Sequence, residues 1–145
     1  MAKRFDYEDC KAKIPMFRQE HFKSGKGKYV CGKFGVNIDA QMGGKDFEYL
    51  IADDCDPNAE IPQGFEKRTI PAFEWAMFSC DGPMPTALQD VNLKIFSEWL
   101  SAIREYEFAA GYCIEVYDDP TKYPNGTLDE NYHSEIWIPV KKIEK

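Results

Sequence analysis

A chain of 145 residues and 16.7 kDa is sized for one domain or two small fused modules. Its 43% hydrophobic and 14% aromatic content supplies a real core and argues against disorder, and no apolar run approaches the roughly 20 residues a membrane helix needs. The net charge of −7 is unevenly spread: residues 1–34 carry nine basic and four acidic side chains, and the remainder nine and twenty-one, a balance that would repel nucleic-acid phosphate.

The segment from Phe5 to Ser24 places Tyr7, Cys10, Ile14, Phe17 and His21 at three- and four-residue steps, a helical stripe. Pro15 interrupts it by removing a backbone donor, so the pattern predicts a short turn and then a main helix from about Ile14 to Lys23. Ser24-Gly25-Lys26-Gly27 stops that helix. Two strand-like runs follow, Tyr29 to Asp39 and Asp46 to Asp53, paired as a hairpin. Beyond Pro57 and Pro62, residues Phe65–Pro71 and Phe73–Cys80 read as a strand pair or as one strand bent at Pro71.

The clearest helix begins near Thr86, a candidate N-cap with Gln89 at capping-box spacing. Leu88, Val91, Ile95, Phe96, Trp99, Leu100 and Ile103 form its core stripe. Gly111–Asp118 and Ser134–Lys141 complete the set as strands around a polar loop. Helices separated by adjacent strand pairs predict an α+β layer, with helices on one face of an antiparallel sheet. Gly32–Asp39 and Gly111–Asp118 also echo each other at an offset of 79, and Phe47 and Tyr49 stand near Glu135 and Trp137 at an offset of 88. The echo fits two strand–helix–strand–strand units, about 1–55 and about 64–142, sharing a central cleft.

Alternation along the last strand sets Ser134, Ile136, Ile138 and Val140 against the helices and leaves Glu135 and Trp137 together on the other face. Phe47 and Tyr49, Trp75, and Glu115 with Tyr117 occupy single faces of their own strands in the same way. Several aromatics around a few carboxylates suit a planar, lipophilic or cationic ligand, because rings stack and attract cations and an acid balances charge. Desolvation in such a hollow would also raise the pKa of Glu135 and fit it for general acid–base work.

Five cysteines, Cys10, Cys31, Cys55, Cys80 and Cys113, contain no C-x-x-C pair and read as reduced thiols. With only His21 and His133 to join them, no metal and no cofactor is expected. Phosphate-binding glycine loops, an H-E-x-x-H pair and a nucleophile elbow are all missing, which sets aside nucleotide use, zinc hydrolysis and triad chemistry. The start of the chain shows no apolar leader, so the expected location is the cytoplasm.

Gly64-Phe-Glu, Ile70-Pro-Ala-Phe-Glu-Trp-Ala, Gly82-Pro-Met-Pro, Glu98-Trp-Leu, Ile114-Glu-Val-Tyr and Ser134-Glu-Ile-Trp-Ile-Pro-Val, read together over about residues 5–142, resemble the GyrI-like family. These are effector-binding domains of AraC- and MerR-type bacterial transcription regulators, also found free-standing. The resemblance implies a duplicated fold with a ligand cleft between the repeats over residues 1–145, and binding of lipophilic, often cationic, compounds as a sensor, sequestration or multidrug-resistance module. It puts the family's pocket acid on Glu135 and its pocket aromatics on Tyr49, Trp75 and Trp137. It also implies two alternatives: hydrolysis of cyclopropane-bearing genotoxins, with Glu135 and either Tyr49 or Tyr117 assisting water, or a protein-interaction module acting on DNA gyrase. No helix-turn-helix region is present, so direct DNA binding by this chain is not expected, and a homodimer or a separate DNA-binding partner is left open. Only Met1–Phe5 precedes the first helix, leaving a very short first strand, none, or one replaced by a partner chain.

Overall fold

The computed structural model describes residues 1–30, 32–39, 45–56, 58–84, 86–99, 102 and 105–143. The chain opens with strand β1 (Ala2–Asp6) and helix α1 (Cys10–Lys23), followed by the hairpin β2 (Phe34–Ile38) and β3 (Asp46–Ala52). Then come β4 (Glu74–Ser79), helix α2 (Thr86–Lys94) with a π-helical turn (Ile95–Trp99), and β5 (Tyr106–Phe108), β6 (Tyr112–Tyr117) and β7 (Ser134–Lys142). Among the described residues, seven strands join one antiparallel sheet in the order β1-β3-β2-β6-β7-β4, with β5 also paired to β7. The order is palindromic: the outer-to-inner sequence β1, β3, β2 is matched by β4, β7, β6. Two strand–helix–strand–strand units therefore meet at the β2–β6 seam.

Register decides which side chains share a face, because directly paired residues point the same way. One row crosses the sheet as Ile51, Gly35, Glu115, Ile136 and Phe78. The next row, on the opposite face, runs Leu50, Val36, Ile114, Trp137 and Met77. The first face takes the helices. Phe17 of α1 packs with Phe5, Phe47, Tyr49 and Ile51, and Leu88 and Ile95 pack with Ile136, Ile138 and Val140. Ile136 and Ile138 are fully buried there, each worth about 1.5–3 kcal/mol of hydrophobic transfer.

Several local expectations are corrected. α1 is one continuous helix with Pro15 inside it, since losing a single hydrogen bond near its beginning does not unseat a helix held by tertiary packing. The strand read from Tyr29 starts only at Phe34, after a 3-10 turn (Lys26–Lys28) and Gly32, whose φ of +76° breaks extended geometry. Residues 65–71 are not a strand. Arg68 instead makes a two-pronged ion pair with Glu48 (2.6 and 2.9 Å), and Ile70 packs on the second face. Thr86 is the first residue of α2 rather than the cap before it, and Leu100 and Ile103 of the expected stripe lie outside the described residues. The first strand, left open above, is present as β1 and pairs with β3 over five residues. Among the described residues, no helix is long and apolar enough to cross a membrane.

Candidate functional site

The helices stand over the two halves of the sheet and leave a trough above the β2–β6 seam. This cleft of about 1,510 Å³ is walled by Ile14, Arg18 and Phe22 of α1 and by Leu88, Asn92 and Leu93 of α2. Asn37, Phe47, Cys113, Glu115 and Tyr117 form its floor. Leu93 and Leu128 at its lip are 60% and 71% exposed, an apolar rim of the kind that marks a binding surface. Asp53, Asp54, Asp118 and Asp119 stand at the mouth with Lys11 and Lys33, so the entrance carries an excess of negative charge.

The centre of the floor is a hydrogen-bonded cluster. Glu115 Oε1 accepts from the hydroxyls of Tyr49 and Tyr117, each at 2.9 Å. Tyr49, fully buried on β3, reaches this acceptor on β6 by passing over Gly35 of the intervening strand. A Cβ at Gly35 would stand 2.5 Å from Glu115 Oε1 and closer still to the Tyr49 hydroxyl, so only glycine permits the crossing. Arg18 donates to the Tyr49 oxygen (3.0 Å) and to the Gly32 carbonyl (2.7 Å), and its guanidinium lies 4.4 Å from the centre of the Tyr117 ring. Burial pushes the Glu115 carboxyl above its ordinary range, against the opposing pull of Arg18 and of the two phenols. Burial likewise holds both phenols well above the usual tyrosine range.

Such an arrangement presents an acid and an aromatic face at the bottom of a largely apolar trough. It is suited to orienting a lipophilic molecule. The model of the Cass2 family, described as integron-associated effector-binding proteins, matches residues 3–140. The chain belongs to this family. Among solved structures, SAV2435 bound to tetraphenylphosphonium is similar with a TM-score of 0.81 at 21% identity, over 97% of this chain and 86% of that one. At that identity the likeness speaks for the fold, in line with the GyrI-like resemblance. The transcriptional regulator BrlR of Pseudomonas aeruginosa is 28% identical over 122 residues, which are 84% of this chain and 42% of BrlR. The Cass2-family chain thus spans less than half the length of that relative.

Of the residues singled out from sequence, the fold brings four to the cleft: Phe47, Tyr49, Glu115 and Tyr117. Glu135, Trp137 and Trp75 stand on the opposite face of the sheet. There Trp137 and Trp75 pack with Val36, Leu50 and Ile114, and Trp137 also meets Phe34 at 6.4 Å between ring centres. Ile70, from the connection that was read as a strand, packs against that face as well, and Met77 on it is 59% exposed. Glu135 is engaged locally, accepting from Trp137 Nε1 at 2.8 Å and bonded to His133 Nε2 at 2.7 Å. His133 Nδ1 lies 2.6 Å from Asp81. Glu135 and Tyr49, the pair assigned to ring opening, therefore do not meet; Tyr49 meets Glu115.

Two residues of the cluster were missed from sequence, Arg18 and Gly35. Arg18 carried a faint signal, a cation four residues after Ile14 and four before Phe22 on one helix face. Gly35 carried none, since its φ is not positive and its role is set only by what crosses it. Among the described residues no group of three or more His, Cys, Asp or Glu side chains is placed to hold a metal ion.

Proposed function

We propose that residues 1–145 form one effector-binding domain, with repeats at about 1–55 and 64–142, which takes lipophilic aromatic compounds into the cleft between α1 and α2. Glu115 is the acid of the site, Tyr117 and Phe47 are its aromatic floor, and buried Tyr49 holds Glu115 in place. The observation that carries this reading is a carboxylate set at the bottom of a trough with apolar walls, where low polarity strengthens its interaction with any polar or charged group of a ligand. The tetraphenylphosphonium bound to SAV2435, on the same fold, supports a bulky lipophilic ligand class. The domain then serves as a cytoplasmic sensor or sequestering module, and where it governs transcription, the DNA-binding part belongs to another segment or another chain.

Titration of the purified protein with a panel of lipophilic dyes, followed by fluorescence, tests the site. Glu115→Gln is expected to alter affinity for charged members of the panel by about tenfold, whereas Glu135→Gln leaves it unchanged. The reverse result would move the site to the other face of the sheet.

A further inference from the structure

The acid at the cleft floor is already balanced. Arg18 is anchored at three points: a donor to the Tyr49 hydroxyl at 3.0 Å, a donor to the Gly32 carbonyl at 2.7 Å, and a guanidinium 4.4 Å from the Tyr117 ring centre. The Tyr49 hydroxyl it bonds donates its own hydrogen bond to Glu115, so guanidinium and carboxylate are linked through a single oxygen. The backbone makes room for this arrangement. Gly32 has a φ of +76°, and a Cβ there would stand 2.8 Å from Arg18 Nη2. The guanidinium thus covers the aromatic face and sits near the carboxylate, the two features that would attract a ligand cation.

We propose that Arg18 is the resident counter-ion of the cleft: it occupies the position beside Glu115 and over Tyr117 that a ligand's positive charge would take. The inference rests on the small-molecule reading above and sets its charge class. Neutral and anionic lipophilic compounds bind with Arg18 in place. A cation, although drawn to the acidic mouth, reaches the floor only by displacing Arg18 and all three of its anchors. Arg18 is accordingly a specificity-determining residue, and its removal turns the site into one that prefers cations.

Tetraphenylphosphonium and tetraphenylborate have nearly the same shape and opposite charge, so their affinity ratio isolates the charge preference. Binding of each ion and of Nile red, a neutral dye, is measured by titration on the wild-type protein, Arg18→Gln, Arg18→Lys and Glu115→Gln, with circular dichroism and thermal melts as folding controls. Arg18→Gln is expected to bind the phosphonium at least about tenfold more tightly than wild type and the borate more weakly, and Arg18→Lys to keep the wild-type ratio. Should Arg18→Gln fail to fold, Glu115→Gln carries the test: it leaves Arg18 unbalanced and is expected to shift the ratio toward the borate by about tenfold. A phosphonium affinity that is unchanged or lower in folded Arg18→Gln, or a ratio unmoved by Glu115→Gln, overturns the proposal while Nile red binding still upholds the cleft. If neither Nile red nor either ion binds any of the four proteins, the small-molecule reading itself falls.

Discussion

The phenol of Tyr49, on β3, crosses Gly35 on β2 and donates a 2.9 Å hydrogen bond to Glu115 on β6. One contact thereby joins a side chain of the first repeat to a side chain of the second, across the seam on which the cleft stands. Gly35→Ala puts a methyl group against the Tyr49 hydroxyl, and the fully buried ring can yield only by shifting against its packed neighbours. The expected result is a loss of about 1–3 kcal/mol of stability, read by chemical denaturation, together with weaker dye binding.

Tyr49→Phe keeps the ring and removes one of the two hydroxyls that bond Glu115. With one donor lost, the carboxylate is less well compensated, and its pKa is expected to rise further above the ordinary value, as followed by carbon-detected NMR titration. The sign for stability follows. An acid whose folded pKa lies above its unfolded one has a folded state that holds the proton longer, so this group's contribution to stability declines as pH rises from about 4.5 through the folded pKa. Glu115→Gln is expected to flatten that segment of the stability–pH curve.

His133 answers to pH in a different range. Its bond to Asp81 first, and to Glu135 second, raises its pKa above 6.5. The stabilisation is full below 6.5 and is lost as pH rises through the folded value. With the imidazole 38% exposed, solvent screening keeps the effect below about 1 kcal/mol. Thermal melts of His133→Asn against wild type, at pH 6 and pH 8, are expected to converge at the higher pH. A gap that does not narrow would remove the charge-based account.

The short first strand bears weight. Phe5 is 5% exposed and its ring meets Phe17 at 5.6 Å and Tyr49 edge-on at 6.2 Å. Phe5→Ala is expected to cost about 3–5 kcal/mol in a denaturation experiment, the range for emptying a packed aromatic site. A loss under about 1 kcal/mol would mean that β1 is dispensable to the core.

Local patterning was enough to identify most of the elements. The hairpin of β2 and β3, the α2 stripe and the alternation of β7 are period-two or period-3.6 signals written in neighbouring residues. The same alternation correctly opposed Ile136 and Ile138 to Glu135 and Trp137. Residues 65–71 looked equally strand-like, yet have no partner strand to pair with, and strand propensity without a ladder does not make a strand.

What sequence alone did not determine was which faces come together. Aligning the repeats at an offset of 79 lays Val36 on Glu115, although Val36 lies on the face away from the helices and Glu115 on the helix face. The offset of 88 lays Tyr49 on Trp137, again across faces. A shift of one residue inverts every side chain of a strand, so an echo that fits duplication does not say which face a residue of either repeat takes. Composition and periodicity are carried by residues close along the chain and settled the class of fold. The site joins Arg18, Gly35, Tyr49 and Glu115 from four separate elements, and only strand register and the placement of α1 over the sheet bring such distant residues within hydrogen-bonding reach.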